Sequence, residues 1–463
     1  MATTVGNTEI SAPVTTLRHR PGRWIDNWNP EDPVFWAAEG KAIARRNLRW
    51  SIYAEFLGFI IWQLWSIVVV LLPASGFTLS TSESFWLISL PSLVGATLRF
   101  PYTFMVARFG GRNWTIISAT LLLIPATLLG FVVQDPQTPF WVLLIVAALG
   151  GFGGGNFASS MANITYFFPQ KEKGWALGLN AAGGNLGTSV AQLAVPIVVS
   201  IGASFSLGLP LAGWMWIPLI LISIWGAWKY MDNLSSAKAD FAAAAAALRE
   251  PHLWVLSLLY IGTFGSFIGF ASVFPKLIAD NFPEFSSFQI GTASLSFAFV
   301  GALVGSLSRP YGGRLADRFG GARVTIAAFA LMIIGSLALM TTVDAGSFWT
   351  FIGCFLLLFV AAGIGNGSTY RMIPNVFAAR GAATAGDALA VNTQRKGAAA
   401  LGLVSAIGAY GGFVIPQVLA AAKNASDSYV PAFAGFVGAY VVLLLLTITI
   451  YAIPRATLAG HRI

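Results

Sequence analysis

Charge is what this 463-residue chain has least of: charged residues make up 10% of it and apolar residues 56%. A soluble globular domain carries about 25% charged residues, so a soluble cytoplasmic enzyme is excluded. One cysteine, Cys354, allows no disulfide framework within a chain, and three histidines form no cluster with zinc or haem spacing. No metal, cofactor or catalytic set is therefore expected. The net charge of +9 is scattered rather than gathered into a face for nucleic acid. There is no convincing P-loop for nucleotide-driven work. The first 50 residues contain no apolar run of the signal-peptide kind, so no cleaved leader is expected. What the chain does have is 16 Trp, 35 Phe and 49 Gly in long apolar stretches, with a mean hydropathy of +0.73. These suit lipid-facing and interfacial positions and predict an all-α polytopic membrane protein.

A span needs about 20 mostly apolar residues. Twelve segments qualify: 51–73, 84–107, 113–134, 138–168, 174–201, 210–231, 252–279, 288–312, 322–343, 347–376, 395–422 and 430–453. Asn29, followed by Pro30, Glu31 and Asp32, resembles a helix start, which predicts a short amphipathic helix over 30–44 lying along the membrane. Of the 27 Lys and Arg, Lys276 and Lys423 fall outside and Arg99, Arg309 and Arg371 fall within spans. The remaining 22 fall on one side if both termini are cytoplasmic, the positive-inside pattern. The expected plan is a cytoplasmic segment 1–50, a six-helix bundle 51–231, a linker 232–251, a second bundle 252–453 and a cytoplasmic tail 454–463. A helix is expected on the six alanines after Phe241. Lipid surrounds the whole, and a monomer suffices for function.

The two bundles share short matches at a constant offset. Gly95, Arg99 and Phe109-Gly110-Gly111 are answered 210 positions later by Gly305, Arg309 and Phe319-Gly320-Gly321. Gly153, Gly155 and Asn156 are answered by Gly363, Gly365 and Asn366. At an offset of 224, Ala176-Leu177-Gly178-Leu179 is matched by Ala400-Leu401-Gly402-Leu403. Their order argues for duplicated bundles and for alternating access to a site between them. The sequence GGRLADRFGGAR at 312–323 resembles the cytoplasmic loop motif of the major facilitator superfamily, where Asp317 is placed to cap a helix or pair with an arginine. That motif identifies a scaffold and says little about substrate.

Arginine inside a span is costly and marks a site or a polar pathway. Arg99 and Arg309 occupy matching positions, and neither has an acid at i±3 or i±4. Snorkelling near a helix end explains one such residue more readily than two. Two guanidinium forks facing one cavity suit a planar oxyanion. Tyr260, Phe264 and Phe267 are spaced i, i+4, i+7 on one helical stripe, and Phe157 is a further candidate wall. Packing alone also accounts for such a stripe. Span five reads GWALGLNAAGGNLG from Gly174 and span eleven GAAALGLVSAIGAYGG from Gly397. Gly184 and Gly408, one from each, are candidate points of close backbone approach. Close helix crossing is the plain alternative. Asn180 and Asn185 are stronger polar candidates, because a buried amide needs partners.

GATLRFPYTFM at 95–105, GGNFASSMANITYFFP at 154–169, GWALGLNAAGGNLG at 174–187, SLLYIGTFGSFIGF at 257–270, GSLSRPYGGRLADRFGG at 305–321 and GLVSAIGAYGGFVIP at 402–416 closely resemble the nitrate/nitrite porter family of the major facilitator superfamily. The resemblance runs over almost the entire chain, including NPEDPVFW at 29–36. It implies that Arg99 and Arg309 are the substrate-binding pair, that Tyr260, Phe264 and Phe157 line their pocket, and that Asn185 lies nearby. It implies nitrate and nitrite as substrates, carried by exchange or with protons.

Glu55 in span one and Arg371 in span ten depart from the pattern expected of simple exchangers. Both are expected toward the cytoplasmic end of the cavity, either as a pair that forms in one state or as separate groups. Glu55 is the one convincing intramembrane acid, so nitrate/proton symport with Glu55 as the proton-responsive residue is the first expectation. Nitrate/nitrite antiport is the close alternative. A carrier of another small anion, or a non-transporting sensor on the same scaffold, is more remote.

Overall fold

The computed structural model describes residues 17–238, 241–343, 347–382 and 387–453. The tail predicted over 454–463, with His461, and the first 16 residues lie outside the described residues. Among the described residues ten helices are long and apolar enough to cross a membrane. They are α1 (Pro33–Leu71), α3 (Gly111–Val132), α4 (Phe140–Phe167), α5 (Gln170–Ala203), α6 (Leu211–Tyr230), α7 (Pro251–Asn281), α9 (Gly321–Thr342), α10 (Phe348–Arg380), α11 (Ala399–Ser426) and α12 (Val430–Ala452). Two further long helices, α2 (Thr81–Phe109) and α8 (Ala298–Phe319), fill the remaining places in chain order. Each carries a buried arginine within its length, Arg99 and Arg309. The first holds Arg99, Arg108 and Glu83, and the second holds Arg309, Arg314, Asp317 and Arg318.

Local chemistry sets the helix ends. A capping box of Ser80 and Glu83 starts α2. Gly110 and Gly320, at φ 84° and 92°, end α2 and α8 in a backbone conformation that a side chain would strain. These are the matched Phe-Gly-Gly positions of the two sequence halves. The predicted helix over 30–44 takes a different form. Asp32 rather than Asn29 is the cap, accepting from the amides of Val34 and Phe35, and the helix runs from Pro33 through a π turn at Trp36–Gly40 straight into α1. With no stop signal between 40 and 50, nothing separates it from the span. The segment 288–297, expected to open span eight, is a hairpin of Phe288–Ile290 and Ala293–Leu295. Gly291, at φ 62°, makes its turn, and the Ser294 amide donates to Ser200 Oγ at the end of α5. The alanine run forms a short helix, Phe241–Leu248.

Glycine lets the matched pairs of helices close on one another. A Cβ on Gly95 would lie 3.0 Å from Gly154 Cα where α2 meets α4, and one on Gly363 would lie 2.3 Å from the Gly305 carbonyl where α8 meets α10. Early and late helices also pack together: α2 on α11, α5 on α8, and the end of α1 on α7. On the α7, α10 and α12 side the core is aromatic, with Phe274 and Phe355 4.7 Å apart and Phe270 and Phe436 5.5 Å apart. Where α6 leads into the linker, His19–Arg20 pairs antiparallel with Trp24–Ile25, which pairs parallel with Asn233–Leu234. Asp232 beside this small sheet accepts from Arg23, Arg46 and Asn47.

Candidate functional site

Arg99 is fully buried on α2. Its Nε donates to the Gly154 carbonyl on α4 at 3.0 Å, and its Nη1 donates to the Ser405 carbonyl and hydroxyl on α11 at 2.9 and 3.0 Å. Its Nη2 has no partner. Arg309, buried on α8, donates from Nη2 to the Tyr260 hydroxyl at 3.4 Å, and its Nη1 has no partner. Both guanidinium groups lie against the same rings. Phe157 is 4.6 Å from the Arg99 carbon and 5.6 Å from that of Arg309, and Phe264 is 5.1 and 6.0 Å from them. Such cation–π contacts partly replace lost hydration. They leave one N–H-bearing nitrogen on each arginine with nothing to bond.

Three aromatic rings line up beside the pair. Tyr260 and Phe264 stack at 5.2 Å, and Phe264 faces Phe157 at 6.2 Å with 27° between planes. Phe267, expected on the same stripe, turns away: it packs edge-on against Phe359 and against Gly305. The reason is a π turn at Ile261–Gly265, which interrupts the 3.6-residue period between Phe264 and Phe267. Gly408 belongs with the stack, because a Cβ there would lie 2.3 Å from the Tyr260 ring.

Glu55 is fully buried on α1 and lies within electrostatic reach of Arg309 and Arg99. The acid missing from i±3 and i±4 on the arginines' own helices is therefore supplied by another helix. Its Oε2 accepts from the Ser160 hydroxyl and from the Asn180 amide at 2.5 Å, while Oε1 has no partner. Gly184 faces this carboxylate, with 2.6 Å between Oε1 and the place a Cβ would occupy. Asn185 is buried with neither amide atom hydrogen-bonded. Arg371 is elsewhere. It is half-exposed and pairs with Asp317 of the loop motif at 2.5 Å. The pairing of Glu55 with Arg371 raised by the sequence is thus absent, and Asp317 takes the second of its two expected roles. Sequence reasoning missed Trp62, Ser160, Tyr370 and Ser405. Trp62 and Tyr370 lie 5.1 and 5.4 Å from Arg99 and Arg309 respectively. Ser160 and Ser405 carried a signal, each lying inside a conspicuous block, on α4 and α11 respectively.

The model of the Major Facilitator Superfamily matches residues 55–393. The nitrate/nitrite transporter NarU of Escherichia coli K12 is 42% identical over 449 residues, covering 92% of this chain and 96% of its own. The chain belongs to the nitrate/nitrite porter family of that superfamily. A probable nitrate/nitrite antiporter of Thermus thermophilus, NarK2, is 35% identical over 94% of this chain and 98% of its own. A solved nucleoside transporter, NupG, superposes with a TM-score of 0.59 over 87% of this chain and 99% of its own. At 13% identity that likeness speaks for the fold alone. This porter-family member is a multi-pass membrane transporter and not an enzyme.

Proposed function

We propose that this porter carries nitrate and nitrite across the cytoplasmic membrane by alternating access, and that it works by exchange. The observation that carries the reading is the buried arginine pair. Each arginine keeps one unpartnered nitrogen, beside flat apolar rings. A buried unsatisfied donor costs about 1–3 kcal/mol, more when charged. A small planar oxyanion lodged against both forks removes that cost twice. Arg99 and Arg309 hold the anion, and Phe157, Tyr260 and Phe264 wall it. Gly408 permits the Tyr260 ring its place. Asn180 and Gly184 act through Glu55, and Asn185 is the nearby amide on α5. Arg371, with Asp317, acts as a cytoplasmic gating pair. Twelve spans in two six-helix bundles, with both termini cytoplasmic, form the carrier: α2 and α8 count as spans because Arg99 and Arg309 are buried in protein, while Arg108, Arg314 and Arg318 lie toward the helix ends.

Exchange takes precedence over nitrate/proton symport. A relative named as a probable nitrate/nitrite antiporter supports it, as does the charge of the site. An empty site holds two guanidinium groups against one carboxylate and resists closure, so the return stroke needs an anion. The test is nitrate uptake into proteoliposomes, either preloaded with nitrite or empty under an inward proton gradient. Uptake that requires internal nitrite is expected. Equal uptake into empty vesicles that follows the proton gradient would restore symport, and no uptake of either anion would defeat the substrate class.

A further inference from the structure

Resting on that exchange reading, we infer that Glu55 is a built-in counter-ion of the arginine pair that restricts the site to one monovalent oxyanion at a time. Its carboxylate is placed rather than incidental. Ser160 and Asn180 hold one oxygen, and the absence of a side chain at Gly184 makes room for the other. The charged and titratable groups facing it are Arg309 from α8, Arg99 from α2 and Tyr370 from α10; from α4 and α5 it meets the neutral Ser160 and Asn180.

The charge count follows directly. Two guanidinium groups and one carboxylate leave one positive charge, and a single monoanion brings the buried site to neutrality. A dianion of similar size, such as sulfate, would overshoot and leave the desolvated site negative, which a low-dielectric interior disfavours. Loss of the Glu55 charge, by protonation or substitution, leaves two positive charges. Such a site holds a monoanion more tightly, releases it more slowly and admits a dianion. Glu55 therefore sets affinity and valence selectivity without touching the anion.

The experiment is nitrate and sulfate binding to full-length purified protein, followed by calorimetry at acidic through alkaline pH. Nitrate keeps its charge throughout, so any pH response belongs to the protein. Wild type is expected to tighten on acidification and to ignore sulfate. Glu55→Gln keeps the shape and is expected to bind nitrate about tenfold tighter, with the pH response gone and sulfate now competing. Unchanged nitrate affinity, an unchanged pH response and continued exclusion of sulfate in Glu55→Gln would overturn the inference. If that variant does not fold, the wild-type series decides: nitrate affinity flat with pH overturns it, and tightening on acidification supports it. Wild type that binds no nitrate at any pH strikes the transport reading itself and not the role of Glu55.

Discussion

Arg99 and Arg309 differ in how firmly each is tied down. Arg99 spends three hydrogen bonds on α4 and α11, whereas Arg309 has one long contact to Tyr260. Arg309 is thus the freer fork. Lysine there keeps the charge but loses the planar donor geometry. Arg309→Lys should lower nitrate uptake about 10- to 100-fold in the nitrite-loaded vesicle assay, with little change in melting temperature. Arg99→Lys should lose both activity and stability, because it also unpins Ser405. At position 408 the constraint is space: alanine would meet a stacked ring that has nowhere to go. Gly408→Ala should cost about 1–3 kcal/mol of stability, read by thermal melting, and should reduce nitrate affinity by displacing Tyr260. The arginines were legible because charge in an apolar span stands out in one dimension. Tyr370 was not, because its importance lies in contacts across helices and one more Tyr in a span carries no mark; Ser405 stands in a conspicuous block, but its bond to Arg99 crosses helices and leaves no local pattern.

Elements were legible where a local signal fixes them. The Phe-Gly-Gly turns stand where the sequence repeats, and the alanine run is helical. The π turn in α7 has no such signal: only the packing of Tyr260, Phe264 and Phe267 reveals that the period breaks there. The strand pairing of residues 19–25 with 233–234 was equally hidden, since it joins segments more than 200 residues apart. This clasp has a hub, Asp232, buried and bonded by Arg23 and Arg46 at 2.7 Å each. Asp232→Ala should free the segment 17–27 for limited proteolysis and lower stability by about 2 kcal/mol; an unchanged digestion pattern would show that the strands hold without it. Asp26 adds a pH response. A hydrogen bond from Ser235, then the Arg20 contact, hold its carboxyl below the usual range. A lowered folded-state pKa means that its contribution is present at neutral pH and is lost as pH falls through that lowered value. Clasp protection should weaken on acidification, and the same digestion repeated at falling pH checks it.

At the scale of the whole carrier, several polar contacts join early helices to late ones on the side away from the linker. Gln192 on α5 donates to the Ala271 carbonyl on α7 at 2.7 Å and, within the early helices, to Ser66 on α1 at 3.1 Å. Nearby, Ser189 donates to the Phe299 carbonyl on α8 at 3.0 Å, and Gln417 on α11 donates to Ser89 on α2. Moving the early helices away from the late ones would break the bonds from Gln192 to Ala271, Ser189 to Phe299 and Gln417 to Ser89, so each contributes to the free-energy difference between the two facings of the site. Repeats in the sequence implied two halves, but not which face the structure closes, because closure depends on pairings between halves that no internal offset encodes. Gln192→Leu removes the bond to Ala271 between the halves at little change in volume. If that bond contributes about 1 kcal/mol, the equilibrium shifts about fivefold toward opening on that side. In a Cys354→Ala, Ser189→Cys background, membrane-impermeant thiol reagent applied from the side away from the linker should label the Gln192→Leu protein several-fold faster than its Gln192 parent. Nitrate/nitrite exchange should slow at the same time, since a carrier biased to one facing completes its cycle less often. Equal labelling in the two proteins would mean that Gln192 packs the bundle without governing its opening.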